Sequence, residues 1–295
     1  MSKEENVDIN ETINENKTYK CKNCGTEFTG TYCYNCGQKN DTERLTTKLI
    51  FKNFFSSFTN LDRGVLLTIN LLFTNPGKLI KDYIEGKRVI YAKPFTMLII
   101  LSSIYGILYS FLAIISNKPI DVGLQLNPTD GDINWLHNLI NSILNWAEKS
   151  VIIWSLLMIP AYALSSKIAF KKINTKGYNY AEILLACTFM ACQRMFIDII
   201  ILPLDTFISD ESVFDTLVTC TRYASYITLS AWNFKGLFNI KWKKSIIKTI
   251  YMYLLSFVFA VILIAVILLI FIFILIFVAW VTGQLGDLGN MDLDL

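Results

Sequence analysis

A chain of 295 residues, 53% hydrophobic and 17% charged, lies on the membrane side of ordinary globular usage. Its charges sit mostly before Pro94 or in short clusters between long apolar runs, whereas a soluble core would spread them over every surface element. The net charge of +3 is too small to imply a nucleic-acid partner by itself.

The first twenty residues are acid-rich, with Glu4, Glu5, Asp8, Glu11 and Glu15 outnumbering Lys3, Lys17 and Lys20. Neither the basic start nor the apolar stretch of a secretory signal is present. Residues 1–17 therefore read as a disordered leader with little to bury, and the N-terminus is expected to stay in the cytosol.

Residues 18–42 carry the first chemistry. Cys21, Cys24, Cys33 and Cys36 form two Cys-x2-Cys pairs, each followed by glycine, Gly25 and Gly37. Two thiolates three positions apart on a tight turn grip one ion, and glycine permits the positive φ such a turn needs. Two turns complete a tetrahedral S4 site suited to Zn²⁺. With no open coordination position, the role expected of that zinc is structural. Two disulfides are the competing reading, and they require an oxidising compartment. A short hairpin is expected around Gly30. Phe28, Tyr32 and Tyr34 are expected to cover the small core, with nucleic-acid stacking as the weaker alternative. Cys187, Cys192 and Cys220 lie in apolar runs and read as small hydrophobes.

Residues 43–94 form a juxtamembrane region. Leu45, Leu49, Phe51, Phe54, Phe55, Phe58 and Leu61 recur at mostly helical spacing around Lys48 and Lys52. The helix they describe either lies on an anionic membrane face or packs on the protein's own spans. The apolar run 64–73 is too short to cross and is expected to be interfacial, re-entrant or packed on the bundle. Asn75-Pro76-Gly77 breaks the chain. A second short helix then presents Leu79, Ile80, Tyr83 and Ile84 on one side.

The opening Cys-x2-Cys-Gly … Tyr-Cys-x-x-Cys-Gly-Gln, from Cys21 to Gln38, resembles a bacterial membrane-protein family whose defining domain is of unknown function. Asn75-Pro76-Gly77, Tyr83, Gly86-Lys87-Arg88, Tyr91 and Pro94 carry the same resemblance. Members commonly have proline after the third cysteine, where this chain has Tyr34. The likeness implies zinc and a membrane, and it implies no activity.

Five stretches within 95–282 are long and apolar enough to cross: 95–116, 151–170, 180–204, 213–232 and 251–281. The fold expected is an all-α polytopic membrane protein with a small N-terminal zinc ribbon. Lys87, Arg88 and Lys93 precede the first span, Lys167, Lys171, Lys172 and Lys176 follow the second, and Lys241, Lys243 and Lys244 follow the fourth. The third loop holds Asp205, Asp210, Glu211 and Asp215, and the tail 283–295 holds Asp287, Asp292 and Asp294. Positive residues stay in the cytoplasm, so this alternation predicts five spans, N-in and C-out. The first outer loop, with Trp135, Trp146 and the one histidine, His137, reads as an interfacial helix.

Ionisable residues inside spans are costly and are candidates for function. Arg194 and Asp198 are four apart on one helix face, and Arg222 interrupts the fourth span. Asp198 is expected to sit between the two arginines. The cluster reads as a structural bridge between spans, an anionic-ligand or lipid-headgroup point, or an ion path. Pro160 is a candidate kink.

No Gly-x-Ser-x-Gly, His-Glu-x-x-His or P-loop occurs, so an enzyme is not expected. A non-catalytic membrane scaffold or sensor, docking a protein at its cytosolic ribbon, is the leading expectation. A transporter or lipid-handling protein using Arg194, Asp198 and Arg222 is the alternative.

Overall fold

The computed structural model describes residues 18–40, 42, 44–50, 64–116, 151–208 and 212–281. The leader 1–17, positions 51–61 of the amphipathic segment, the outer-loop helix around Trp135, His137 and Trp146, and the tail 283–295 lie outside the described residues.

The ribbon contains two strands, β1 (Thr18–Lys20) and β2 (Glu27–Thr29), paired antiparallel with Tyr19 opposite Phe28. The hairpin is therefore closed by the first cysteine turn, not at Gly30 as the β-forming residues suggested. Gly30 (φ 92°) instead turns the chain out of β2, and a Tyr32–Lys39 bridge spans the second cysteine turn.

Two short helices follow. α1 (Val65–Thr74) and α2 (Pro76–Glu85) meet at Asn75. The Asn75 side chain accepts from the Lys78 amide at 3.3 Å, and Pro76 occupies the first helical position, where a missing N–H costs nothing. Leu79, Ile80 and Tyr83 are buried as their spacing predicts. α1 packs on the bundle: Phe73 meets Phe196 edge-on at 5.6 Å, Leu72 is fully buried, and Leu66 on the other face is exposed.

Among the described residues five long helices follow: α3 (Pro94–Ile115), α4 (Val151–Ala169), α5 (Tyr180–Ile208), α6 (Ser212–Phe238) and α7 (Trp242–Val281). Three of them, α3, α5 and α7, are long and apolar enough to cross a membrane. The apolar part of α4 described in full, Leu156–Ala169, is shorter, and α6 is interrupted by Arg222.

α5 is the centre, touching α1, α2, α3, α4 and α6. Lipid tails offer helices no hydrophobic drive to associate, so close packing of small residues must supply it. α5 buries Ala181, Ala186, Cys187, Ala191 and Cys192 against its neighbours. Its apolar window is 67% buried, whereas that of α7 is 6% buried. Leu254, Phe257, Leu269 and Phe273 of α7 all face outward. A water-soluble fold does not leave an apolar face of that extent uncovered; acyl chains are the solvent that suits it.

Neutral polar side chains tie the helices together inside. Gln193 of α5 donates to the Leu72 carbonyl near the end of α1 and accepts from Asn233 of α6. Both side chains are fully buried, and the bond satisfies one of the carbonyls that a helix terminus leaves open.

Candidate metal centre and membrane polar cluster

The cysteine turns are built alike. The Gly25 amide donates to the Cys21 carbonyl at 2.9 Å, and the Gly37 amide to the Cys33 carbonyl at 2.8 Å. Gly25 and Gly37 take φ values of 78° and 75°, a region a side chain disfavours. The two turns bring all four Sγ atoms within 4.8 Å of one another. Cys21 and Cys36 lie 3.5 Å apart, Cys24 and Cys33 3.6 Å apart. A tetrahedral ion with metal–sulfur bonds of about 2.3 Å sets its ligands about 3.8 Å apart, so the four thiols fit one ion.

Their environments differ. Hydrogen bonding to the Thr26 hydroxyl, 3.2 Å away, and to the Thr26 backbone lowers the Cys24 thiol to about 6. Burial pushes the Cys36 thiol up to about 12.

The small ribbon core is Phe28 with Cys21 and Cys33, flanked by Tyr19. Tyr32 and Tyr34 do not cover it. They are 63% and 80% exposed.

The ribbon is held to one end of the bundle. Arg44 grips Glu182 with two bonds, Nε to Oε1 at 2.7 Å and a terminal nitrogen to Oε2 at 2.9 Å, and also donates to the Gly177 carbonyl at 2.6 Å. Glu182 is buried and closes a capping box on α5. Its Oε2 accepts from the Asn179 amide at 2.7 Å, while Asn179 Oδ1 accepts from the Glu182 amide at 2.9 Å. Asn179 also donates to the Leu45 carbonyl at 2.8 Å. On the other side, the Ile90 amide donates to Asn23 at 3.3 Å. Neither Glu182 nor Asn179 was singled out from sequence, although Asn-x-x-Glu before an apolar run is a capping-box spacing.

The membrane cluster differs from its expected form. The guanidinium of Arg194 lies 4.4 Å from the centroid of the Tyr162 ring. No ion pair joins Arg194 to Asp198 among the described residues. Asp198 instead accepts from Tyr226 and lies 3.8 Å from Arg222. The closer partner of Arg222 is Asp205. Asp205 reads from sequence as a loop residue, but α5 continues through Pro203 to Ile208 and brings it to the cluster. Of the other cysteines, Cys187 and Cys192 are buried and Cys220 is exposed.

These features fit a helical membrane protein whose N-terminal ribbon brings together four cysteines able to hold one metal ion. A family model described as "Protein of unknown function (DUF3667)" matches residues 62–106, the stretch that forms α1, α2, the loop against the ribbon and the first half of α3. No curated protein and no solved structure matches the chain.

Proposed function

We propose that the chain is a non-catalytic scaffold or sensor of a bacterial inner membrane, with a zinc ribbon that docks a protein partner in the cytosol. The observation that carries this reading is the ribbon's double character. Arg44 and Glu182 hold it to the bundle, while Tyr32 and Tyr34 stay exposed. Exposed aromatics on a rigid support are the usual anchors of a protein interface. Cys21, Cys24, Cys33 and Cys36 would hold Zn²⁺, which when bound orders the ribbon and leaves no position open for chemistry.

The orientation belongs to the same reading. Lys167, Lys171, Lys172, Lys176, Lys241, Lys243 and Lys244 sit at helix ends or in the turns beside them, and the positive-inside rule assigns such clusters to the cytosol. Five spans, N-in and C-out, follow if α4 and α6 cross with the three more apolar helices. A reporter fused after Leu295 should be active only in its external form; activity in its cytosolic form would overturn this topology.

Affinity purification of the full chain from native membranes tests the docking role. A protein recovered with wild type should be lost from the variant with all four ribbon cysteines changed to serine and from Tyr32→Ala/Tyr34→Ala. An unchanged set of recovered proteins would overturn it.

The second reading, a transporter or lipid-handling protein, is supported by the partly exposed Arg222, Asp198 and Asp205 side chains. It requires Arg222→Leu to lose ligand binding while the folded amount stays normal.

A further inference from the structure

At the ribbon end of the bundle, but apart from the ribbon, lies a cavity of about 450 Å³. Its lysines come from three separate elements. α2 contributes Lys81, the loop between α4 and α5 contributes Lys172 and Lys176, and the first turn of α7 contributes Lys244. Chance surface lysines point outward along one helix. These four come from different parts of the chain and line one concavity.

The floor is rigid and apolar. Phe238 stacks on Phe170 at 4.9 Å between centroids with 11° between planes, and Tyr178 meets Phe238 edge-on at 6.0 Å. The α6–α7 turn closes one side, with Asn239 in a left-handed conformation (φ 52°).

The charge inside is unbalanced. No carboxylate lines the cavity among the described residues. Glu85 lies outside the lining, 3.8 Å from Lys176. Both side chains of that pair are more than half exposed, so the pairing is weak. Lys81 is only partly exposed; burial and then the neighbouring Lys176 lower its affinity for its proton, while Glu85 acts the other way. Lys172, Lys176 and Lys244 are exposed, so their mutual repulsion is screened, but four ammonium groups around one concavity give it a positive potential that favours an anion. The volume lies within the range of ligand sites, and lysine serves phosphate as a mobile point charge.

We propose that this cavity binds a phosphate-bearing anion through Lys81, Lys172, Lys176 and Lys244, its apolar part resting on Tyr178 and Phe238. The group is either the headgroup of an anionic lipid or a soluble organic phosphate. Basic pockets between helices at a membrane face take such headgroups. This site is independent of the docking role proposed for the ribbon.

Binding to purified full-length protein in neutral detergent tests it, read by native mass spectrometry and by ligand-induced shift in melting temperature. The probes are short-chain phosphatidylglycerol, glycerol 3-phosphate, and a poly-glutamate peptide as a phosphate-free anion. Lys81→Gln/Lys244→Gln should weaken the bound phosphate at least roughly tenfold. Lys172→Gln/Lys176→Gln changes exposed residues only and should do the same if the first variant folds poorly. Lys243→Gln, which removes one positive charge outside the cavity, should bind as wild type does. Binding of phosphatidylglycerol alone assigns the site to a lipid, and binding of glycerol 3-phosphate as well assigns it to soluble phosphates. Three results overturn the proposal: no binding of either phosphate probe, equal binding by wild type and both double variants, or preference for poly-glutamate.

Discussion

Arg44 and Glu182 are 138 positions apart in sequence, yet they form a two-pronged ion pair that fastens the ribbon's linker to the first turn of α5. The carboxylate is buried and also caps the helix, so one side chain joins the folding of α5 to the seating of the ribbon. Glu182→Ala should cost α5 about 1 kcal/mol of capping and free the linker. Trypsin cleavage after Arg44 should then be several-fold faster than in wild type while the bundle fragments persist. An unchanged cleavage rate would show that the clamp does not restrain the ribbon.

Gly77 of α2 and Gly236 of α6 cross in backbone contact. A Cβ on Gly77 would lie 2.4 Å from the Cα of Gly236, and a Cβ on Gly236 would lie 2.6 Å from the Cα of Gly77. Neither helix has a flexible side chain there that could give way. Gly77→Ala or Gly236→Ala should destabilise the protein by about 1–3 kcal/mol, seen as a lower melting temperature in detergent. Gly106→Ala, with nothing within 4 Å of the added carbon, should be neutral or slightly stabilising.

Arg222 joins two acidic residues of α5 to α6. Arg222→Leu leaves Asp198 and Asp205 without their cation at a site where side chains are 21–30% exposed. Loss of a buried charge partner costs about 3–5 kcal/mol, and partial exposure brings the expected loss to about 2–3 kcal/mol. Arg222→Leu/Asp205→Asn/Asp198→Asn, which removes the stranded charges, should recover most of the folded amount. If Arg222→Leu accumulates normally, the cluster is not a structural bridge.

Metal loading of the ribbon should depend on pH in one direction. Cys24, lowered to about 6 by its bonds to Thr26, is a thiolate at neutral pH and is ready to ligate. Cys36, raised to about 12 by burial, holds its proton and releases it only when metal binds. Binding therefore displaces protons, and affinity should fall as pH falls from 8 towards 5. Elemental analysis after dialysis across that range should give one zinc per chain at the upper end and progressive loss below. Retention of metal at the lower end, or its absence throughout, would contradict the site.

The long helices were legible because an apolar run bounded by charge is a strong signal. The Asn75-Pro76-Gly77 break and the four cysteines were legible because each residue type has a local physical role. What stayed hidden depended on partners distant in sequence. Asp205 read as a loop residue because Pro203 looked like an end, yet a proline can be carried within a membrane helix. Helical spacing puts Arg194 and Asp198 on one face but gives no sign of the Tyr162 ring that the guanidinium meets on another helix. Gln193 and Asn233 are neutral residues in apolar runs and carry no charge pattern to draw attention. The position of the hairpin was not legible either, because β-forming residues near Gly30 do not reveal that their partner is Thr18–Lys20.

The docking role is tested most directly by a photocrosslinking side chain at position 34 of the full chain in native membranes. One discrete protein adduct is expected at that position, absent when Cys21 and Cys24 are changed to serine in the same chain. No adduct at position 34, or the same adducts with and without the metal ligands, would contradict a ribbon that docks a partner.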